Sequence, residues 1–314
     1  LLQGISSISL LLLLALGSTQ LEKGVLSIGG LIARGLSGSL RQKYLGVRDQ
    51  IVGIEVVRSD GIAAKAGGRV VKNVAGYDLM RLLCGSWGSL AFIKEITLRT
   101  QPIKPARAKI LMSGHVETLE KIRLNLLGSV SDPEYCDWVQ DSEGWQIEAG
   151  FASISDLAIN AQLNSLKNLA NSYKIKYEKK DWDKPLLDQI NQSHSLKKTN
   201  WLTRIVLPPS KIHTLLLSEE FQSLEHWNWR IGAGTGIGDG WQICTGEVEM
   251  AKHEKVELLR KKILSLNGQL NIFKQPINNN GKQLFHWLNA ESSSLIKVIK
   301  EQFDPKMQLS PGRI

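Results

Sequence analysis

The sequence predicts an α+β fold in two domains, and three observations support this prediction. First, the chain has 314 residues, which is about the length of two average domains. Second, short apolar runs rich in branched residues, which are typical of strands, follow one another between residues 25 and 100. Third, beyond Pro102 and Pro105 strand-like runs alternate with helical segments of 3.6-residue period. We therefore expect a boundary near residue 104 and, after it, helices packed on an antiparallel sheet.

The predicted elements follow the order of the chain. Residues 1–24 are an atypical apolar leader whose run 8–16 is far shorter than the roughly 20 apolar residues of a membrane span, so we expect a buried helix or strand, or a truncated start. In the first domain, residues 25–104, strands are predicted at 25–33, 51–57 and 90–98. In the second, residues 105–314, strands are predicted at 108–112, 134–140, 145–151, 203–208 and 241–248. Helices are predicted there at 116–127, 154–173, 210–221, 250–266 and 292–303, and no internal repeat is visible.

The charge and the cysteines argue against several classes of protein. The formal net charge is +9, from 39 Lys and Arg against 30 Asp and Glu. In the densest basic stretch, residues 174–184, acidic residues stand between the lysines, so we expect a solvent-exposed face and no nucleic-acid binding. Cys84, Cys136 and Cys244 are far apart, which argues against a metal or iron–sulfur site built by this chain alone. The same cysteine usage favours a reducing, cytoplasmic compartment.

Three glycine-rich clusters, residues 27–38, 67–79 and 85–93, are the strongest functional signal. Glycine lets the backbone turn sharply and present N–H groups to a ligand, and successive N–H groups form anion sites that suit a pyrophosphate. Each cluster could instead be a tight turn between strands. Their closeness in the chain favours a ligand, as do nearby polar residues, namely Lys72, Asn73, Tyr77 and Asp78. Residues 230–238 lack the spacing of a dinucleotide-binding fingerprint, so we expect a glycine-rich strand or turn there.

Residues 67–102 (GGRVVKNVAGYDLMRLLCGSWGSLAFIKEITLRTQP) closely resemble the FAD-linked oxidases of the vanillyl-alcohol-oxidase type, within them most of all the FAD-binding subunits of bacterial glycolate oxidases. Residues 27–57 resemble that family's Gly-Gly-x-x-Ala strand entry, and residues 303–314 (FDPKMQLSPGRI) resemble its closing signature. The resemblance implies the second lobe of a PCMH-type FAD-binding domain in residues 25–104. It implies an α+β cap domain with an antiparallel sheet in residues 105–314.

The resemblance also implies a set of FAD-binding positions, carried over residue by residue. Those of the first cluster, expected to line the isoalloxazine or the pyrophosphate, are Gly29, Gly30, Ala33, Ser37 and Gly38. Those of the second, expected to hold the flavin-side loop, are Asn73, Gly76, Tyr77 and Asp78. Those of the third, expected to pack against the cofactor, are Gly85, Ser86, Gly88, Leu90 and Ile93. Tyr77 and Asp78 have a structural alternative, in which Asp78 caps a helix beginning at Leu79.

The sequence departs from the family in four places, one of which is Trp87, at a position where a small or acidic residue is common. Family members carry a further lobe before the Gly-Gly-x-x-Ala segment, and the residues before Gly29 contain no Gly-Gly pair, so we expect a truncated start and weakened FAD affinity. Ser310 stands where the closing signature usually has Asn, and Ala91 stands where Gly is usual. Arg313 could pair with a phosphate or carboxylate, or form a C-terminal salt bridge.

No catalytic base stands out, because the six histidines are scattered without paired spacing. We expect each to be a surface or capping residue, with His253 on the solvent face of its helix. The resemblance implies an FAD subunit of a 2-hydroxy acid oxidising complex, with a second FAD subunit and an iron–sulfur subunit as partners and substrate oxidation in a partner. Peripheral membrane association would arise only through that complex. The alternatives are a scaffold subunit that has lost flavin and, last, a basic surface-binding protein.

Overall fold

A computed structural model describes residues 28–68, 79–102, 104–129, 131–141, 144–180, 182, 199–243, 252–276, 284 and 293–311. They form two compact units: the described parts of Leu1–Pro102 with Asn289–Ile314, and those of Ile103–Leu288. The C-terminal segment, expected within the second domain, therefore belongs to the first unit. The physical reason is its packing, since Ile299 and Phe303 lie against the core of that unit. In addition, the Ser59 hydroxyl donates a hydrogen bond to the Phe303 carbonyl at 2.7 Å.

The first unit is a three-stranded antiparallel sheet with short helices. Its strands lie in the order β2-β1-β3, with Ile54 and Val56 of the central strand buried in the core. Its elements are α1 (Ile28–Arg34), α2 (Arg41–Tyr44), α3 (Val47–Gln50), β1 (Ile51–Val57), β2 (Ala63–Gly67), α4 (Leu79–Leu83), β3 (Phe92–Leu98) and a C-terminal helix (Ser293–Phe303). The strands predicted at 51–57 and 90–98 are confirmed.

The strand predicted at 25–33 is wrong, because Ile28–Arg34 is a helix. Leu31, Ile32 and Ala33 are its buried residues, and an apolar run this short fits a buried helix as well as a strand. The helix ends at Gly35, whose φ of 63° lets its N–H bond back to the carbonyls of Leu31 at 3.1 Å and Ile32 at 2.9 Å. Such a left-handed glycine is a common C-terminal helix cap.

The second unit is built on one eight-stranded sheet in the order β11-β8-β10-β9-β5-β6-β4-β7, with every neighbouring pair antiparallel. Its strands are β4 (Ala106–Ser113), β5 (Tyr135–Asp141), β6 (Gly144–Ser153), β7 (Lys176–Lys180), β8 (Thr199–Val206), β9 (Trp227–Gly232), β10 (Ile237–Ile243) and β11 (Gln269–Lys274). Its α-helices are α5 (Val116–Gly128), α6 (Asp156–Ser172), α7 (Ile212–Leu216), α8 (Glu219–Gln222) and α9 (His253–Ser265), and Pro209–Lys211 is a 3₁₀ turn. The predicted antiparallel sheet and helices are thus present.

This unit contains a structural repeat that the sequence does not reveal. From β4 to β7 the elements run strand, helix, strand, strand, helix, strand, and from β8 to β11 they run in the same way. The strand order within one half, β5-β6-β4-β7, is repeated in the other as β9-β10-β8-β11. The two halves join where β5 pairs with β9. The helix predicted at 210–221 is interrupted in this repeat, since the hydroxyl of Ser218 accepts the Phe221 N–H at 3.4 Å and begins a new helix.

One face of the sheet carries the main apolar core. Trp138 of β5, Ile147 of β6 and Trp229 of β9 are fully buried there, together with apolar residues of the helices. Because successive side chains in a strand point to opposite faces, the neighbours of these residues lie on the other face. The glycine-rich segment at 230–238 forms the β9–β10 hairpin, as expected.

Gly240→Ala tests the packing of this core. Gly240 lies directly opposite Trp229, and a Cβ there would lie 2.2 Å from the ring atom Cζ3. We expect the substitution to lower the free energy of unfolding by about 1–3 kcal/mol in urea titrations, because the indole must move. Gly128→Ala, where a Cβ meets nothing within 4 Å, is the control and should change stability by less than about 0.5 kcal/mol. Equal stability of Gly240→Ala and wild type would contradict the position of the Trp229 ring against Gly240.

Candidate functional site

The first and third glycine clusters meet in the first unit. The loop that follows α4 lies against the end of α1, where the Trp87 N–H donates to the Ala33 carbonyl at 2.7 Å and the Gly85 N–H to the Ile32 carbonyl at 3.1 Å. A Cβ on Gly35 would lie 3.0 Å from the Gly85 Cα, so the two backbones are close enough to require glycine. Two segments about fifty residues apart in the chain are thereby joined main chain to main chain.

The loop is held in an unusual backbone conformation. Gly85 has a φ of 88°, Trp87 of 56° and Gly88 of 73°. A left-handed conformation costs a non-glycine residue on the order of 1–3 kcal/mol, and such residues concentrate at functional sites. The Arg34 guanidinium lies over the Trp87 ring, 5.6 Å from its centroid, and stabilises the indole where it stands.

Ser86 is the residue of this loop that points most directly to a ligand. It is 8% exposed, and its hydroxyl has no hydrogen-bond partner among the described residues. A buried hydroxyl without a partner costs about 1–3 kcal/mol, which a ligand would recover. Beside it, a Cβ on Gly85 would meet nothing within 4 Å, so the backbone borders open space there. The arrangement suits a polar group that approaches the main chain closely.

Residues 300–310 hold this loop in place through hydrogen bonds. The Lys300 Nζ donates to the Ser89 carbonyl at 2.7 Å, to the Leu309 carbonyl at 2.7 Å and to Asp304 Oδ2 at 2.5 Å. The hydroxyl of Ser310 donates to the Trp87 carbonyl at 3.1 Å. Burial raises the pKa of the Asp304 carboxyl, but the Lys300 ammonium and backbone N–H groups outweigh it and leave that pKa below its ordinary value. The two stretches that resemble the family most, the loop and the closing signature, are therefore in contact.

The structure places the predicted residues of the first cluster in two groups. Gly29, Gly30 and Ala33 lie on α1, where the Gly29 Cβ position is 3.6 Å from Ile93 of β3. Ser37 follows the helix and is buried, and its hydroxyl accepts the Val47 N–H at 3.3 Å. The carbonyl of Gly38 accepts the Arg41 N–H at 3.0 Å.

The remaining predicted residues fall into core, loop and undescribed positions. Leu90 and Ile93 pack in the apolar core of the first unit, whereas Gly85, Ser86 and Gly88 form the loop itself. The second cluster's predicted residues Asn73, Gly76, Tyr77 and Asp78 lie outside the described residues, as does Arg313. Residues Leu79–Leu83 are helical, and the capping role of Asp78 stays a prediction. Contact of any of these residues with a cofactor stays a prediction.

Sequence reasoning missed a stripe of buried charges across the second unit's sheet. Arg230 Nη1 donates to Asp137 Oδ2 at 2.7 Å and to Glu148 Oε1 at 3.1 Å, and the Tyr135 hydroxyl donates to the same Oε1 at 2.9 Å. Further along, Arg204 and Asp239 form a two-point ion pair at 2.8 and 3.0 Å. The signal in the sequence is a charged residue directly beside a buried apolar residue of a strand, as in Asp137-Trp138 and Arg204-Ile205.

Two groups of this stripe, Glu148 and Tyr135, have pKa values that are shifted away from neutral pH. Burial raises the pKa of Glu148, but Arg230, Lys109 and the Tyr135 hydrogen bond together lower it below its ordinary value. Burial, followed by the nearby Glu148 charge, raises the pKa of Tyr135 well above its ordinary value. Glu148 is therefore an anion and Tyr135 a neutral donor over the whole physiological range. Their hydrogen bonds and that of Arg230 link the neighbouring strands β5, β6 and β9.

The expectation that His253 lies on a solvent face is wrong. Its ring lies 4.8 Å from that of Trp201, centroid to centroid, and its Nε2 is buried without a hydrogen-bond partner among the described residues. The reason is that His253 is the first residue of α9, where the helix meets the aromatic core. Within the described ranges, no group of three or more His, Cys, Asp or Glu side chains could hold a metal ion. Nor does the described part of the chain contain a helix long and apolar enough to cross a membrane.

Comparison with solved structures defines the class of fold. A VAO-type flavoprotein from Myceliophthora thermophila matches with a TM-score of 0.60 at 13% identity, over 90% of this chain and 59% of that one. An alkyldihydroxyacetonephosphate synthase matches with a TM-score of 0.59 at 14% identity, over 91% of this chain and 58% of that one. The chain has the α+β fold of the VAO-type, PCMH-type FAD-linked oxidases, as its sequence predicts.

Curated relatives confirm the resemblance within this class. The chain is 48% identical over 77 residues to a mitochondrial D-lactate dehydrogenase of Arabidopsis thaliana, which is 24% of this chain and 14% of that protein. It is 43% identical over 74 residues to the glycolate oxidase subunit GlcE of Escherichia coli, 24% of this chain and 21% of that protein. A D-lactate dehydrogenase of Anaerostipes hadrus matches at 23% over 92% of this chain and 69% of its own length. The first two matches thus span 14% and 21% of those proteins. No family model matches the chain.

Glu148→Gln tests the charge stripe through its pH dependence. The pKa of Glu148 is lowered in the folded protein, so its stabilisation is present above the ordinary value of a carboxyl and is lost as the pH falls through the folded value. We expect a loss of about 3–5 kcal/mol in unfolding free energy at pH 7, because Arg230 loses a buried partner. The difference from wild type should shrink as the pH falls below the ordinary pKa.

Glu178→Gln is the control, because Glu178 is an exposed carboxylate, 3.6 Å from Lys180. It should change stability by less than about 1 kcal/mol at either pH. A Glu148→Gln effect that stays the same from pH 7 to pH 3 would show that the carboxylate charge is not what stabilises the stripe.

Proposed function

We propose that this chain is an FAD-binding subunit of an oxidoreductase that acts on small 2-hydroxy acids. The observation that carries the proposal is the junction of α1 with the loop at 85–90, which presents the buried, unpartnered Ser86 hydroxyl beside open space at Gly85. This junction lies in a fold that the chain shares with VAO-type flavoproteins. The family resemblance assigns FAD contacts to the same residues.

The residues present fit FAD. The cofactor would supply a two-electron acceptor when bound. Glycine at 85 allows the main chain to approach a flat or phosphorylated group without a side chain between them. The hydroxyl of Ser86 can donate one hydrogen bond, and the bond from the Trp87 N–H to the Ala33 carbonyl holds the backbone next to it. These residues bind and orient, and none of them is an acid or a base.

The substrate class and the partners rest on the relatives. Glycolate and D-lactate, after which these relatives are named, are both small 2-hydroxy acids. Oxidation of such an acid needs a base near its hydroxyl and a cation near its carboxylate. The described residues of the loop provide neither, which supports oxidation in a second FAD subunit, with an iron–sulfur subunit receiving electrons. We place the complex in the cytoplasm, with any membrane association peripheral and through the partners.

Gly85→Val is the sharpest test of the cofactor site. Gly85 and Gly61 both have positive φ, at 88° and 82°, and a Cβ at either meets nothing within 4 Å. Valine at either position carries the same backbone strain, but only Gly85 lies in the proposed site. We expect purified wild type to show the flavin absorption bands and to release FAD in near-stoichiometric amount on heating. Gly85→Val should lose at least nine-tenths of that FAD, and Gly61→Val should keep it.

The outcomes separate two functions. A wild type without flavin, even after FAD is added and excess removed, would contradict the proposal and favour the scaffold subunit. Flavin retained equally by Gly85→Val and Gly61→Val would show that FAD binds elsewhere. Loss from both variants would point to general destabilisation of the first unit, and the assignment of Gly85 would fall.

Ser86→Ala tests the unpartnered hydroxyl separately. If Ser86 donates to FAD, its removal should raise the FAD Kd about tenfold, measured by quenching of flavin fluorescence. The apoprotein should be no less stable than wild type, because alanine removes a buried hydroxyl that lacks a partner among the described residues. Ser172→Ala, which removes an exposed hydroxyl in α6, is the control. An unchanged Kd for Ser86→Ala would refute the role of this hydroxyl.

A further inference from the structure

We infer that Lys300 and Asp304 are positioning residues that hold the loop at 85–90 in its cofactor-binding conformation. They act through the loop's backbone and not as ligands. The inference rests on the proposed function for its cofactor, while the effect on the loop can be measured without any cofactor. It gives a structural role to a buried ion pair that is required neither by the close backbone approach at the glycines nor by an acid–base step.

The Lys300 ammonium joins three parts of the chain. It is 4% exposed, and its three donors reach the Ser89 carbonyl, the Leu309 carbonyl and the Asp304 carboxylate. An ammonium has three donors, so all of them are used. Asp304 is completely buried, and its Oδ2 also accepts the Leu309 N–H at 2.7 Å. The ion pair therefore ties the loop to the last turn of the C-terminal helix and to the segment after it.

The loop needs such a tie because its conformation is strained. Trp87 is left-handed at a φ of 56°, between two glycines that are also left-handed. Its N–H is bonded to Ala33 on one side and its carbonyl accepts the Ser310 hydroxyl on the other. A strained residue persists only where the surroundings over-determine it. Lys300 adds a charge-assisted bond to Ser89, two residues further on, and such bonds are about twice as strong as neutral ones.

The C-terminal helix also contacts the first unit through residues other than Lys300. Ile299 and Phe303 already pack on the apolar core of the first unit. The Phe303 carbonyl is bonded to Ser59, on the turn between β1 and β2. A helix held by those contacts would stay in place with an apolar residue at position 300. The specific consequence of the ammonium is thus its bond to the loop, and loss of that bond should be felt first by the loop.

The test compares Lys300→Met with Lys297→Met on the same helix, since Lys297 is exposed. Hydrogen exchange of the backbone amides of residues 84–91 is measured in the apoprotein, and the FAD Kd is measured by flavin fluorescence. We expect Lys300→Met to exchange at least tenfold faster in this loop and to bind FAD at least tenfold more weakly. Lys297→Met should match wild type in both, and amides of the second unit should be unchanged in either variant.

A second variant controls for the effect of leaving a buried charge without its partner. Lys300→Met alone leaves Asp304 without its cation, which can destabilise the whole unit. The double variant Lys300→Met/Asp304→Leu removes both charges and should restore the unfolding temperature while the loop still exchanges fast and FAD still binds weakly. Recovery of tight FAD binding in the double variant would overturn the inference, because it would show that the unpaired charge caused the defect.

The remaining outcomes distinguish this inference from the proposed function. Unchanged exchange of residues 84–91 in Lys300→Met would overturn the positioning role whether or not FAD binds. Faster exchange with an unchanged FAD Kd would overturn it as well. Failure of wild type to bind FAD contradicts the proposed function and, with it, the cofactor half of the inference, whereas the exchange measurement still decides whether the ion pair holds the loop.

Discussion

The close approach of Gly35 and Gly85 is the constraint on which the first unit depends. A Cβ at Gly35 would lie 3.0 Å from the Gly85 Cα, so the junction favours glycine at position 35, while Gly85 is favoured by its positive φ of 88°. Once they meet, the end of α1 can accept the N–H groups of Gly85 and Trp87. Gly85, Trp87 and Gly88 of the loop are then held in left-handed conformations, and the Ser86 hydroxyl is buried. Glycine here serves a contact between two main chains as well as access for a ligand.

The C-terminal segment stabilises the left-handed loop conformation that the glycines permit. Glycine permits a left-handed backbone but does not select it, because it adopts many other conformations as readily. Selection comes from bonds to fixed partners, here from Lys300 to Ser89 and from Ser310 to Trp87. The closing signature lies more than two hundred residues from the loop, and the Ser310 hydroxyl brings the two stretches into direct contact at the Trp87 carbonyl. The same contacts explain why the last helix belongs to the first unit.

The second unit depends on a different feature, the join between two similar halves of one sheet. The halves meet at β5 and β9, and Arg230 of β9 reaches Asp137 of β5 and Glu148 of the next strand. Buried charges stabilise a structure only where each has partners of good geometry, so an arginine shared by two carboxylates favours one register at this join. The sequence gives the charges but not their pairing, since Arg230 and Asp137 are separated by 93 positions.

The sequence by itself determined the α+β class, the antiparallel strands at 51–57, 108–112 and 145–151, and the family resemblance, because periodicity and glycine spacing are local properties. It misjudged the helix at 28–34, whose short apolar run fits a strand as well as a helix, and the setting of His253, whose contact with Trp201 joins residues far apart in the chain. Only the tertiary structure decided that the two glycine clusters meet, that the charges form one stripe and that the last helix returns to the first unit. Each of these depends on residues far apart in the chain, whose contact is set by the packing of whole elements and not by any local pattern.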